Sequence, residues 1–185
     1  MTLHIARGAG ELPWDWPASR GLLGWSLPPG CLSASSQPPA GVLQLCRIYI
    51  PRAGLASTMR LHINTGGATL SNCFCGLYDA NGNLIGQSTD QSGVWTGSGN
   101  VSAALSAVGT GLSLVAGQFY YGCILTNGTT QPTFTRGPGV SALNVNLAAT
   151  VGAGVSAGSG LTALPATQAP GTWALQTVVF FVAVS

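Results

Sequence analysis

The run CFCGLYDANGNLIG, residues 73–86, constrains the fold more than any other stretch of this chain. Phe74, Gly76 and Tyr78 alternate with Cys73, Cys75 and Leu77, and both sets are apolar. A period of two marks a strand, and apolar groups on both faces describe a strand covered on both sides. Asp79, Asn81, Gly82 and Asn83 then crowd the point where the chain must reverse, and Asn and Gly accept positive φ cheaply. Leu84 and Ile85 resume an extended run before Gly86 and a polar stretch. A lone hairpin cannot bury itself, so other segments must supply the strands that cover it.

Most of the remaining chain is built to do so. In GVLQLCRIYIP, Val42, Gln44, Cys46, Ile48 and Ile50 face one way and Leu43, Leu45, Arg47 and Tyr49 the other, and Pro51 ends the run. Residues 58–64 place Met59, Leu61 and Ile63 inward and Arg60 and His62 outward, a half-buried strand. Residues 101–107 show a weaker strand pattern through Val101, Ala103 and Leu105. Residues 117–125 (GQFYYGCIL) form a strong one, closed by a turn at Asn127 and Gly128. Thr133 to Arg136 is a short extended piece. Residues 137–171 are rich in Gly, Ala and Ser and read as loops, with a short strand near 143–147. Residues 172–184 (TWALQTVVFFVAV) carry strong β propensity. Short strands at regular spacing, Gly-rich turns and no amphipathic helix predict an all-β fold, a jelly-roll-like antiparallel β-sandwich over residues 41–185. Phe74, Leu77, Ile124, Val179 and Phe181 are its expected core.

Residues 1–40 are different. Trp14, Trp16 and Trp25 stand among Pro13, Pro17 and the pairs Pro28-Pro29 and Pro38-Pro39. Paired prolines oppose both helix and central strand. The segment is too apolar to sit solvated and too broken to form its own core. It reads as an extended N-terminal arm that lies either on its own sandwich or on a neighbouring subunit, with the three Trp side chains as assembly contacts.

Charge narrows the function. Only 5% of residues are charged, none of them Lys, against about 25% in an ordinary soluble protein. Either the surface is carried by Ser, Thr, Asn, Gln and Gly, or much of it is covered by other subunits, copies of this chain among them, since weak charge repulsion favours association. Six scattered Arg form no cationic stripe, so nucleic acid is not an expected partner. The strongest apolar run, residues 178–184, is far too short for a membrane span, and the N-terminus has no pattern of a secretory signal. Cys31, Cys46, Cys73, Cys75 and Cys123 lack zinc-site spacing and read as free, buried thiols.

Candidate chemistry is sparse. Glycan hydrolysis needs two carboxylates about 5–10 Å apart. Asp79 and Asp90 are the only ones in the predicted sandwich, and Asp79 is better explained as a turn residue. His62 and Asp79 have no nucleophile-elbow serine to join them. Asp79, Asn81 and Asn83 resemble the start of a calcium loop but lack its later bidentate Glu. No catalytic residue, cofactor or metal is therefore expected. Trp95, Tyr120 and Tyr121 are candidate stacking surfaces for a sugar ring, against the alternative of core or interface anchors. Asn100-Val-Ser and Asn127-Gly-Thr fit the glycosylation pattern by chance.

Several phrases fall into a pattern: RIYIPRAG at 47–54, GLYD at 76–79 with Gly82, LSLVAGQFYY at 112–121, NGTTQPTFTR at 127–136 and LPAT at 164–167. Over roughly residues 42–184 the chain resembles a β-sandwich module of minor tail proteins and related virion proteins of tailed bacteriophages. The resemblance implies a structural or host-contacting virion component, made in the host cytoplasm and placed on the tail or capsid exterior, with other virion proteins as partners and no catalytic residues to carry over. A capsid decoration protein is the alternative within that class. A host-receptor glycan-binding module is the alternative from another.

Overall fold

The computed structural model describes residues 16–138, 148 and 152–185. Its strands are β1 (Gly24–Trp25), β2 (Ala34–Ser36), β3 (Leu43–Tyr49), β4 (Gly54–Leu55), β5 (Thr58–Thr65), β6 (Ala68–Leu70), β7 (Phe74–Tyr78), β8 (Leu84–Gln87), β9 (Gly99–Ala104), β10 (Ser106–Ala107), β11 (Ser113–Leu114), β12 (Phe119–Leu125), β13 (Gly128–Thr130), β14 (Thr133–Arg136), β15 (Gly154–Ala157), β16 (Ala174–Leu175) and β17 (Ala183–Val184). No α-helix occurs among the described residues, and every strand pair is antiparallel.

Two sheets carry the fold. The larger runs β10-β8-β7-β12-β3-β15-β16. The smaller is built around β5, whose one side pairs with β9 along its length. The other side of β5 meets β17 at Met59 and Arg60 and β14 at Ile63 and Thr65. β1 then pairs with β17, and β2 with β14. The sheets pack face to face through Met59, Leu61, Ile63, Val101 and Phe134 from one and Ile48, Cys75, Leu77, Ile85 and Ile124 from the other. Gly122 on β12 leaves room for Val182 and Ile48. A Cβ there would stand 2.7 Å from Val182 and 2.9 Å from Ile48, tighter than packed carbons allow.

The large sheet has a second apolar face, as the alternation of β3 and β7 requires. Leu43, Leu45, Tyr78, Tyr121, Cys123 and Leu125 point away from the sandwich and are nevertheless buried. Residues 158–173 cover them as a strap, with Leu161, Leu164 and Trp173 packed down on the sheet. The strap is pinned near its start and through its middle. Leu161 N–H donates to Gly41 O, Leu84 N–H to Ala166 O and Gln168 N–H to Gly82 O, and the Tyr78 hydroxyl donates to Pro165 O at 2.8 Å.

Of the two places left open for the arm, residues 16–40 take their own sandwich, and they enter it as strands. Leu23 N–H donates to Val184 O and Ser26 N–H to Val182 O, which carries β1 into the small sheet. The sandwich thus begins near residue 23, and Pro28, Pro29, Pro38 and Pro39 bracket β2 on an edge, where a missing N–H costs little. Residues 1–15 lie outside the described residues, as does the strand expected near 143–147.

Three further expectations need correction. The closing segment of strong β propensity divides between two strands. It leaves the large sheet at β16 and joins the small one at β17, and this crossing interrupts the alternation. Phe180, bridged to Arg136, takes the core position expected of Phe181, which is half-buried. Phe74 packs half-buried on the outer face rather than in the inter-sheet core. β15, expected as loop, is an interior strand of the large sheet between β3 and β16.

Candidate functional site

The hairpin tip that organises the sequence is a closed polar turn. Asp79 Oδ1 accepts from Asn81 N–H at 2.9 Å and Asn83 N–H at 2.8 Å, and Oδ2 accepts from the Asn83 amide. Asp90 does the same at the far end of the hairpin, accepting from the backbone N–H groups of Asn72, Cys73 and Ser92 and from the Ser92 hydroxyl. Its slight burial alone would raise the carboxyl. The donors from Ser92, Cys73 and Asn72 outweigh that and hold it below the usual carboxylate range. The length of β7 separates the two carboxylates. Six residues of strand from Cys73 to Asp79 span about 20 Å, well beyond the reach of a paired-carboxylate site.

His62 lies on the outward side of β5, its Nδ1 2.7 Å from the Thr135 hydroxyl, which donates to Asn64. The cysteines are free, but not all are buried. Cys31 is exposed beside the Pro28-Pro29 turn. Burial pushes the thiols of Cys46 and Cys75 up to about 12 and raises those of Cys73 and Cys123 as well. These four are inert packing groups at neutral pH.

The proposed sugar contacts do not survive. Trp95 is wholly buried between the sheets, its ring edge-on to Phe134 at 5.2 Å. Tyr120 and Tyr121 are buried on opposite faces of β12. Tyr120 holds the Val115 N–H with its hydroxyl, and Tyr121 stacks edge-on against Trp173 at 4.7 Å. All three are core anchors, the alternative to sugar stacking that the sequence left open. Trp25, an expected assembly contact, is likewise buried in its own sandwich. Trp16 is 39% exposed, and Trp14 lies outside the described residues.

The exposed aromatic surface is elsewhere. Tyr49 and Phe119 stand opposite each other where β3 ends and β12 begins, with ring centroids 5.2 Å apart. The Arg47 guanidinium lies 3.6 Å over the Phe119 ring, a cation–π geometry. Alternation puts Arg47 and Tyr49 on the outer face of the large sheet. The row Trp173, Tyr121, Arg47, Phe119, Tyr49 therefore runs from beneath the strap into solvent, where Tyr49 is 47% and Phe119 37% exposed. Leu55 on the β4–β11 ribbon and Val115 just beyond it add exposed aliphatic area, and Ile50 extends the β3–β12 pairing through bonds with Gly117 and Gln118. The spacing of two is present in RIY, which sets Arg47 beside Tyr49, and in FYY, which sets Phe119 beside Tyr121, but exposure at a strand end has no sequence signal. Aromatic rings with a stacked arginine are the composition of protein-contact centres.

No helix among the described residues is long and apolar enough to cross a membrane. No protein-family model matches the chain, and no curated protein matches it in sequence.

Proposed function

We propose that this chain is a non-enzymatic structural component of a tailed-phage virion, of the minor-tail-protein kind, and that it meets other virion proteins through the surface of Arg47, Tyr49 and Phe119. The observation that carries this reading is that patch: a stacked, partly exposed aromatic–arginine cluster on a chain otherwise almost without charge. The resemblance of its motifs to phage virion modules supplies the setting, and the antiparallel sandwich is compatible with it. The two carboxylates of the hairpin are spent on closing turns, which favours a scaffold over a hydrolase. A glycan contact through Trp95, Tyr120 and Tyr121 is not carried forward, because all three are buried.

The test is to purify particles of the phage that encodes the chain and to locate it by mass spectrometry and in an electron-microscopy map. The chain is expected on the exterior, with Tyr49 and Phe119 at a contact with another virion protein. Particles that lack the chain would overturn the reading. Tyr49→Ser with Phe119→Ser should leave the fold intact and reduce incorporation.

A further inference from the structure

The four outer edges of the two sheets are not alike. The large sheet ends in β10 and β16, each of two residues, and one edge of the small sheet is made by β1 and β2, two and three residues long and hemmed by prolines. Short strands and prolines are how edges are kept from pairing. β9 has neither. It is a six-residue strand, GNVSAA, in unbroken register with β5 and without a charge, a proline or a bulge.

Hydrogen-bond parity fixes what this edge offers. Leu105 N–H donates to Ser57 O, so in the alternating antiparallel ladder the N–H and C=O groups of Val101 and Ala103 also turn toward β5. Those of Asn100, Ser102 and Ala104 turn outward, and all three residues are exposed. Ser185 N–H donates to Thr58 O on the opposite side of β5, in agreement with that parity. The outward residues are spaced symmetrically about Ser102.

We infer that β9 is a pairing edge for β9 of a second copy of this chain, related by a two-fold axis through Ser102. Asn100 then faces the second copy's Ala104, Ser102 faces the second copy's Ser102, and Ala104 faces the second copy's Asn100. Each pair exchanges two backbone hydrogen bonds. The same register puts Val101 opposite the second copy's Ala103, so the apolar side of β9 continues unbroken across the axis. No other register satisfies the outward groups and keeps both copies' inner faces aligned over the full strand. The charged side chain at this edge is Arg60, which donates to the Ser102 hydroxyl at 3.2 Å and to the Ser185 hydroxyl at 3.1 Å. The two β5 strands would lie three strand spacings apart, about 14 Å, with each guanidinium reaching toward the axis, so the two cations weaken the contact and added salt should tighten the dimer. The pairing does not rest on the virion reading, and either can fail without the other.

Sedimentation of the full chain over a wide concentration range tests it, with Ser102→Pro and Ser102→Lys as variants. Ser102 N–H is not part of the β5 ladder, so proline there spares the fold while removing the central bonds of the dimer. The Ser102→Lys variant keeps every backbone group and sets two ammonium ions at the axis, which covers the case of a proline variant that misfolds. The wild-type chain is expected to dimerise reversibly. Each variant should raise the dissociation constant by about tenfold or more with an unchanged circular-dichroism spectrum. Amide exchange at Asn100, Ser102 and Ala104 should be slow in the dimer and fast on dilution. A wild-type chain that stays monomeric, variants that dimerise as well as wild type, or fast exchange at the three amides in the dimer would overturn the inference.

Discussion

Trp95 is the largest side chain fully withdrawn from water, and its indole N–H has no hydrogen-bond partner among the described residues. The ring and the nitrogen therefore pull in opposite directions. Trp95→Ala should cost about 3–5 kcal/mol in denaturant unfolding, because it empties a site between the sheets. Trp95→Phe should cost less than about 1.5 kcal/mol, since it keeps an aromatic contact with Phe134 and removes the unpaired donor. The thiols offer a second check at this scale. A label applied to the native chain should modify Cys31 alone, and all five cysteines once the chain is unfolded. Asp90 supplies a pH dependence. Its carboxyl is held below the ordinary value in the folded state, so its contribution is complete above the unfolded value and disappears as pH falls through the folded one. Stability should decline below about pH 4, and Asp90→Asn should remove that part of the decline while lowering stability at neutral pH.

Strands are legible where apolar residues alternate without interruption. β3, β5, β7 and β12 follow directly from their sequences, and the two-sided alternation of β7 foretells both the sandwich core and a cover on the outer face. What forms that cover is not legible. The strap is a Pro- and Ala-containing stretch without period, recognisable only through the partners it reaches, such as Tyr78 with Pro165. β15 escapes a reading by pattern because Gly154, Val155, Ser156 and Ala157 are individually poor in apolar bulk, and neighbouring strands rather than propensity place them. The solvent-facing pair Tyr49 and Phe119 is hidden for the same reason: burial is decided by what the tertiary fold sets above a face. Gly76 tests the strap. A Cβ there would stand 2.7 Å from both Gly86 O and Leu164, so Gly76→Ala should cost about 1–3 kcal/mol and speed proteolysis within residues 158–173.

For the molecule as a whole, the N-terminal strands are part of one cooperative body rather than an appendage. Deleting residues 1–40 strips β1 from β17 and β2 from β14 and removes the buried Trp25. That deletion should lower the thermal midpoint by about 10 °C or more, and a truncated chain that melts like wild type would count against the topology. The position of β17 has a consequence for the order of events during synthesis. It follows every other described strand in sequence, yet it lies in the interior of the small sheet, between β1 and β5. A ribosome extending the chain from its N-terminus therefore delivers β1 long before the strand that holds it. Until residues 183 and 184 emerge, half of β5 presents an open edge and β1 has no ladder to join. The small sheet closes by capture of a late strand, and the nascent chain must pass that interval with its longest strand unguarded.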